Sequence, residues 1–260
     1  MQGLTVPKNL TADRLEPAAR LVGYANASRY RVRGDFLFAG IPLTGAHVLE
    51  VGCGTGAWAI WAALHGADRV VGIEPEAQGS TANVLAMFKQ TIELLGLSGK
   101  VLATDQYLHR LPLQKQQFDV VVMFNVINHL DEDAVVVLHQ EPAAFERYVT
   151  ILQNLRLRLR PKGWVVVADC ARTNLWPRLG LASPFARSIE WHKHQNPHTW
   201  INVFEHAGFR HFDLRWSPLQ PFPRLTAHWL VQYITCSLFV LRFRAVDTFA
   251  ADQLSGRRDN

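Results

Sequence analysis

The stretch V-L-E-V-G-C-G-T-G-A, residues 48–57, decides the fold class of this 260-residue chain. It reads as a buried strand that runs into a glycine-rich turn and then into a helix. Glycines let the backbone approach a ligand closely, and a helix that begins at Gly56 offers free N–H donors and a partial positive charge. Twenty residues after Gly54, a second apolar strand ends on Glu74, which is placed to accept hydrogen bonds from a ribose diol. The sequence therefore predicts a pocket for a cofactor that carries adenosine.

Two cofactor classes compete for this pocket. Gly52, Gly54 and Ala57 formally satisfy the dinucleotide fingerprint, whose third position accepts Gly or Ala. Gly56, however, makes the spacing G-x-G-x-G, and a carboxylate, Glu50, lies within the first strand. On these residues the sequence resembles the class I S-adenosylmethionine (SAM) methyltransferases, whose first motif has the form V-L-[DE]-[VL]-G-C-G-x-G. In that family the pocket faces a sulfonium and an ammonium, which suits an acidic residue. A NAD-dependent oxidoreductase is disfavoured, because the chain has no Tyr-x-x-x-Lys pair.

Strands and helices alternate after the glycine turn, which is typical of an α/β protein with a parallel sheet and helices on both faces. The resemblance implies a seven-stranded, Rossmann-like, doubly wound sheet that ends in a hairpin-like pair. We expect a single methyltransferase domain over residues 1–260, with an N-terminal helical cap (1–40), a SAM-binding core (45–170) and an acceptor-side segment with the closing strands (171–260). The predicted strands are 47–51, 69–73, 100–104, 118–124, 164–169, 209–216 and 236–243, and the predicted helices are 56–64, 77–95, 143–159 and one from Asn196-Pro197 to Gly208.

The N-terminal segment divides into two parts. Residues 1–15 are expected to be loosely ordered, whereas apolar positions at helical spacing predict one or two helices between residues 17 and 38. Tyr24 and Tyr30 in that segment either touch the ligand or pack against the fold, and packing is the favoured interpretation. The N-terminus lacks the pattern of a signal peptide.

Charge and cysteine content limit the classes of partner and the metal sites that the sequence predicts. The chain has 27 basic and 22 acidic residues, a net charge of +5, and its densest basic patch, residues 156–162, closes a predicted helix, where cations complement the helix dipole. We therefore expect no nucleic-acid partner, and no D-P-P-Y-like tetrad follows the fourth strand. Three widely spaced cysteines predict neither a disulfide framework nor a metal site and fit a cytoplasmic protein.

One long apolar stretch, residues 225–241, is interrupted by polar side chains. A membrane span needs about 20 apolar residues, so this stretch predicts a helix followed by the last strand and no transmembrane segment. Arginines on both sides leave a peripheral membrane contact as the alternative.

The resemblance also implies further cofactor contacts. Asp105 follows the third strand and matches the carboxylate that holds the adenine amino group in the family. Asn125, at the end of the fourth strand, lies where family members reach the methionyl part of SAM, and the run Leu111-Pro112 before that strand matches the family as well. The complete predicted SAM-binding set is Glu50, Gly52, Cys53, Gly54, Gly56, Glu74, Pro75, Asp105, Gln106 and Asn125; the side chain of Cys53 is interpreted as packing.

Three histidines are candidate bases for an acceptor hydroxyl, because a neutral imidazole accepts a proton near pH 7. His129 follows the fourth strand, and His192 and His194 share one face if their segment is extended. Some relatives carry E-x-x-E-H where this chain has residues 125–129, and they bind a divalent metal with it. This chain carries Asn125 and Asn128 in place of the two carboxylates, so we expect no metal. The structural alternatives are that His129 bonds only to the backbone and that residues 190–195 form a solvated loop.

Together these residues predict transfer of a methyl group from SAM to a small-molecule or lipid-linked acceptor, with a hydroxyl oxygen as the favoured target. The apolar insert 173–188 would form one wall of a pocket for an acceptor with a hydrophobic part, or a packed cap. The alternatives are a SAM-binding protein without catalysis and an N- or C-methyltransferase of a small metabolite.

Overall fold

The computed structural model describes residues 8–76, 82–111, 117–217 and 228–246, with side chains from Arg14 onwards. Its seven strands are β1 His47–Val51, β2 Arg69–Ile73, β3 Val101–Thr104, β4 Phe118–Phe124, β5 Leu159–Cys170, β6 Phe209–Trp216 and β7 Leu238–Ala245. They form one mixed sheet with the order β3-β2-β1-β4-β5-β7-β6. The predicted seven-stranded Rossmann-like fold is confirmed.

Nine α-helices accompany these strands in the described part of the chain. They are α1 Lys8–Leu21, α2 Ala27–Leu37, α3 Ala57–Leu64, α4 Val84–Leu94, α5 Glu132–Val137, α6 Pro142–Arg156, α7 Leu175–Arg178, α8 Pro197–His206 and α9 Trp229–Ile234. None of the described helices is long and apolar enough to cross a membrane. The chain separates into two compact units, unit 1 with residues 1–107 and unit 2 with residues 108–260, and each is described by itself below.

The N-terminal helices of unit 1 confirm one prediction and correct another. Two helices lie where one or two were predicted, but α1 already begins at Lys8, so the expectation of loose order is wrong for residues 8–15; residues 1–7 lie outside the described part. The cause is burial: Leu15, Ala18 and Ala19 pack one face of α1 into the core.

Helix α3 packs into the core of unit 1, because six of its eight residues, including two tryptophans, are buried. Helix α2 approaches it closely at Gly34, where an added Cβ would stand 2.4 Å from the Trp61 ring. Tyr30 is fully buried beside the same ring, with centroids 5.1 Å apart, and its hydroxyl donates to the carbonyl of Ala57. The interpretation of Tyr30 as a packing residue is confirmed.

Helix α4 is shorter than predicted. The prediction began at residue 77, but residues 77–81 lie outside the described part and the helix begins at Val84. Its second amide, Leu85 N–H, donates to the carboxylate of Glu76 at 3.0 Å. Glu76 itself adopts a left-handed φ of 45°, so the chain turns sharply after β2 and this side chain caps the helix.

In unit 2, β4 and β5 pair in parallel, and β7 pairs antiparallel with both β5 and β6. Strand β7 begins two residues later than predicted because Ser237 adopts a left-handed φ of 49°, which interrupts the extended backbone. Strand β5 begins five residues earlier than predicted, since Leu159 already pairs with Phe118.

The basic patch at residues 156–162 does not act as a unit at a helix end. Arg156 alone lies in the last turn of α6. Arg158 is buried and donates to the carbonyls of Asn154 at 2.7 Å and Leu111 at 2.9 Å, and Arg160 forms an ion pair with Asp119 at 2.6 Å. The prediction that the patch complements the dipole of one helix therefore holds only for Arg156.

Candidate functional site

The glycine turn after β1 depends on backbone conformations that only glycine adopts freely. Gly52, Gly54 and Gly56 have φ values of 62°, 50° and 77°, in the left-handed region that disfavours a Cβ. At Gly56 an added Cβ would stand 2.0 Å from the ring of Phe88 in α4. The turn can therefore pack onto α4 only with glycine at this position.

Gly54 has a different surrounding. No atom of the described residues lies within 4 Å of the position that its Cβ would take, so the backbone of the turn is open on this side. Its N–H donates to the carboxylate of Glu74 at 2.9 Å. The two features that the sequence predicted to form one pocket are thus in direct contact.

Parallel pairing explains why Glu74 reaches the turn. Strands β1 and β2 pair with Val51 opposite Ile73, so the residues that follow both strands emerge at the same edge of the sheet. Glu74 is buried and also accepts the N–H of Glu76 at 3.3 Å. A fixed carboxylate beside exposed backbone suits the hydroxyl groups of a ribose.

Cys53 packs inward, as expected. Its side chain is buried, and an added Cβ at Gly72 in β2 would stand 3.0 Å from the sulfur. Only the backbone of Cys53 is therefore available to a ligand.

Glu50 has a structural role that the sequence did not reveal. Its buried carboxylate accepts the N–H of Ala59 at 2.7 Å and that of Trp58 at 3.4 Å. These are first-turn amides of α3, whose N-cap Gly56 has no side chain. Burial, and in a smaller part the nearby Glu74, raise the pKa of Glu50 to about 8. Its predicted contact with the cofactor stays a prediction.

The end of β3 carries two further predicted cofactor contacts of unit 1. Ile73 pairs with Thr104, which brings Asp105 and Gln106 out at the same edge as Glu74, and both are exposed. Pro75 is half-buried beside them. An open glycine turn and two carboxylates after neighbouring strands, Glu74 and Asp105, therefore lie at one edge of the sheet in unit 1, as the predicted SAM site requires.

In unit 2, Asn125 directly follows β4 and has a left-handed φ of 54°. Its N–H donates to the carbonyl of Ala168 at 2.8 Å, and its side chain is exposed. The amide side chain is therefore free of the sheet, as a ligand contact requires.

The three candidate histidines differ in their surroundings. Nδ1 of His194 lies 3.0 Å from a carboxylate oxygen of Asp169, and the two side chains are 12% and 0% exposed. His129 is half-exposed and pairs with Glu132 at 2.7 Å, and His192 is exposed. Only His194, among these three, is paired with a fully buried carboxylate.

The segment around His194 is not extended. Trp191–Lys193 forms a 3₁₀ turn, so the prediction that His192 and His194 share one face of an extended segment is wrong. The turn forms because the N–H groups of Lys193 and His194 bond to the carbonyls of Glu190 and Trp191 at 2.8 and 3.2 Å, which an extended segment does not permit.

This turn is held at both ends by other parts of unit 2. Lys193 forms ion pairs with Glu132 and Glu190 at 3.2 and 2.9 Å. After the turn, the side-chain oxygen of Asn196 accepts two hydrogen bonds from Thr173, one from its hydroxyl at 2.7 Å and one from its backbone N–H at 3.2 Å. Asn196 stands at the N-cap position of α8 as predicted, but its side chain makes no cap bond there. These bonds fix the ring of His194 against Asp169.

One oxygen of Asp169 remains available. Its Oδ2 is buried and has no hydrogen-bond partner among the described residues, and the same holds for Oδ1 of the buried Asn128. Buried acceptors without a donor are rare in folded proteins. Within the described residues, no group of three or more His, Cys, Asp or Glu side chains is arranged to hold a metal ion.

The sequence of this chain matches a family of known proteins over most of its length. A family model described as a methyltransferase domain matches residues 24–212. The chain belongs to the class I SAM-dependent methyltransferases. The family resemblance of the sequence and SAM as the cofactor are thereby confirmed.

Individual relatives are more distant. The chain is 33% identical over 75 residues to protein arginine N-methyltransferase 1 of Saccharomyces cerevisiae, a match of 29% of this chain and 20% of the relative. It is 36% identical over 87 residues to the tRNA U34 carboxymethyltransferase of Photorhabdus laumondii, 33% of this chain and 23% of the relative. The chain therefore spans about a fifth to a quarter of the length of these curated relatives.

The fold is shared with solved methyltransferase structures. One is geranyl diphosphate C-methyltransferase from Streptomyces coelicolor, solved with Mg²⁺, geranyl diphosphate and S-adenosylhomocysteine, at 15% identity and a TM-score of 0.59 over 85% of this chain and 82% of that one. At this identity the likeness supports the fold.

Proposed function

We propose that this methyltransferase transfers the methyl group of SAM to a hydroxyl oxygen of a small-molecule or lipid-linked acceptor. The observation that carries the proposal is the pair formed by His194 and the fully buried Asp169. A methyl donor requires an acceptor atom with a free electron pair, and a hydroxyl supplies one most readily when a base removes its proton.

Unit 1 is assigned to cofactor binding. The backbone of Gly54 and the carboxylate of Glu74, joined at 2.9 Å, would hold the nucleoside, and the exposed Asp105 would accept the adenine amino group. SAM supplies an electrophilic methyl group, and its sulfur keeps the electron pair when that group leaves.

His194 is the base in this proposal. Nδ1 faces Asp169, so a protonated Nδ1 leaves the lone pair on Nε2, and Nε2 has no hydrogen bond to the described residues. The acceptor proton would pass to Nε2, and the carboxylate of Asp169 would stabilise the imidazolium that results. His129, which pairs with the exposed Glu132, and the exposed His192 are less suited to this role.

The apolar insert supports an acceptor with a hydrophobic part. Leu179, Leu181 and Phe185 are all more than half exposed, which is unusual for a segment without a ligand or partner. A hydroxylated aromatic or polyprenyl-type compound combines the two features that unit 2 offers.

The test is methyl transfer from SAM carrying a labelled methyl group to hydroxylated acceptors that differ in their apolar part, such as alkyl phenols and catechols. We expect His194→Gln to lower kcat about 10²–10⁴-fold, the usual contribution of a general base, with SAM affinity unchanged. His198→Gln, an exposed histidine in α8, is the matched control and should keep full activity.

Asp169→Asn separates a positioning role from a structural one. It should lower kcat and change the acidic limb of the pH profile, while SAM affinity in unit 1 stays the same. Full activity of His194→Gln would remove the base from the proposal. Binding of SAM without transfer to any acceptor would favour the non-catalytic alternative, and transfer to carbon or nitrogen would favour the others.

A further inference from the structure

Helix α9, Trp229–Ile234, buries a polar side chain and exposes apolar ones, the reverse of what is usual for a helix at a water-facing surface. Gln232 is fully buried, donates to the carbonyl of Ser217 at 2.7 Å and accepts the N–H of Leu238 at 3.0 Å. Trp229 and Leu230, in contrast, are 55% and 46% exposed. Helices of soluble proteins normally bury the apolar side, so this outward face needs a partner.

The insert before it exposes the same kind of side chain next to α9. Trp176 Nε1 donates to the carbonyl of Ile234 at 2.6 Å, the Trp176 and Phe185 ring centroids are 6.4 Å apart, and the sulfur of Cys236 lies 4.0 Å from the carbonyl oxygen of Phe185. The two segments therefore form one surface. We call it the apolar face, and it consists of Leu179, Leu181, Phe185, Trp229, Leu230 and Ile234.

The exposed apolar side chains of the described residues are concentrated on the apolar face. Its six members are half of the twelve large apolar side chains that are exposed in the described part of the chain. Isolated exposed apolar residues need no explanation, but a contiguous patch marks an interaction site.

Buried polar bonds hold this face outward. The amide of Asn174, itself 1% exposed, donates to the Thr235 carbonyl at 3.0 Å and to the Ser237 hydroxyl at 2.9 Å. The Ser237 hydroxyl in turn bonds to the Thr173 carbonyl at 3.1 Å. These bonds tie the start of the insert to the end of α9 through buried polar atoms, and the apolar side chains remain for an external partner.

The charge of the surroundings selects the kind of partner. The insert, residues 173–188, contains two exposed arginines, Arg178 and Arg187, and no Asp or Glu, and residues 228–237 contain no charged residue. Apolar and tryptophan side chains with arginines beside them and no carboxylate suit the headgroup region of an anionic bilayer. A soluble protein partner of ordinary composition would not require this absence of acidic groups.

We propose that the apolar face docks onto the surface of an anionic lipid bilayer, with α9 lying in the plane of the headgroups and Arg178 and Arg187 facing the lipid phosphates. Docking of this kind would bring unit 2 to an acceptor dissolved in the membrane. The link to a lipid-linked acceptor rests on the proposed function, whereas the docking itself does not.

The test is co-sedimentation of the full chain with vesicles of phosphatidylcholine containing about a third phosphatidylglycerol, and with vesicles of phosphatidylcholine alone. We expect binding to the anionic vesicles that weakens as salt rises, because the arginine contribution is screened. The double variant Trp229→Ser/Leu230→Ser should bind at least about tenfold more weakly, since binding scales with the buried apolar area. Arg178→Ala/Arg187→Ala should lose the preference for anionic vesicles.

The control is Leu102→Ser, an exposed leucine of similar accessibility on β3 in unit 1, which should bind as the unchanged protein does. No binding to anionic vesicles, equal binding by the double variant, or equal loss in the control would overturn the proposal. Self-association of the chain that the double variant abolishes, without vesicle binding, would assign the face to a second copy instead.

Calorimetric titration with SAM is run on the same variants. In the double variant, intact SAM binding shows that the protein is folded. In the unchanged protein, SAM binding and methyl transfer without vesicle binding would overturn the docking and leave the proposed function in place. Vesicle binding without any methyl transfer would overturn the proposed function and leave the docking in place.

Discussion

The cofactor turn of unit 1 (residues 52–56) and the His194 segment of unit 2 (residues 190–196) are stabilised in different ways. The turn consists of left-handed glycines, with the N–H of Gly54 bonded to Glu74 and with Phe88 packed against Gly56. The His194 segment is a 3₁₀ turn held by side chains from α5, β5 and the insert. One region should therefore respond to changes of backbone conformation and the other to the loss of single polar bonds.

The largest expected effect concerns Glu50, beneath the cofactor turn. Its folded pKa of about 8 lies above the usual 4.5, so the folded state holds its proton more strongly than the unfolded state does. The free energy of unfolding should then fall as pH rises from about 4.5 to 8, by up to about 1.4 kcal/mol per pH unit. Urea unfolding at several pH values measures it.

Glu50→Gln is the comparison for this pH dependence. It should remove the part of the slope that belongs to Glu50 and leave other titrations unchanged. The same slope in both proteins between pH 5 and 8 would show that the carboxyl group is not perturbed.

Gly56→Ala tests the backbone side of the comparison. A Cβ at this position meets the Phe88 ring and makes the existing φ of 77° unfavourable, so the free energy of unfolding should fall by about 2–4 kcal/mol. Gly96→Ala is the matched control, because Gly96 has a φ of 61° and no described atom within 4 Å of its Cβ position. It should cost about 1–2 kcal/mol; equal losses would contradict the role of Phe88.

Asn174→Ala tests the side-chain part of the comparison. It leaves the hydroxyl of Ser237 and the carbonyl of Thr235 without their buried donor, which should lower the free energy of unfolding by about 1–3 kcal/mol. Asn154→Ala, at an exposed asparagine whose side chain bonds only to the carbonyl of Thr150, should change it by at most about 0.5 kcal/mol. If the two variants cost the same, the buried network does not hold the insert.

The smallest expected effect is on the affinity for SAM. Glu74→Gln keeps the shape of the side chain but replaces a charged acceptor, so SAM binding should weaken by about 1–2 kcal/mol, or roughly 5- to 30-fold. Calorimetry provides the measurement, with Glu76→Gln as the neighbouring control because that side chain is bonded to α4. Equal affinities for wild type and Glu74→Gln would take Glu74 out of the site.

Local sequence was enough for the fold and for the cofactor turn. The strand bounds of β1, β2, β4 and β6 and the contact between Gly54 and Glu74 follow from short apolar runs, glycine spacing and the geometry of parallel strands. Each of these features depends on residues that are adjacent along the chain or on neighbouring strands.

The rest depends on contacts that spacing does not reveal. Asp169 and His194 are separated by an insert and a 3₁₀ turn, and no pattern in residues 190–195 distinguishes that turn from an extended segment. The cap that Glu50 provides for α3 was equally hidden, because a carboxylate in that motif has an obvious second interpretation as a ligand contact. The outward face of α9 was hidden by length, since six residues are too few for a periodic signal.

The most direct test of the assignment compares Gly54→Ala with Gly96→Ala by calorimetric titration with S-adenosylhomocysteine. Both glycines have a left-handed φ, and neither has a described atom within 4 Å of its Cβ position, so both variants should lose similar stability. We predict that Gly54→Ala binds at least about tenfold more weakly and that Gly96→Ala binds as wild type does. Unchanged affinity of Gly54→Ala would contradict the placement of the cofactor on this turn.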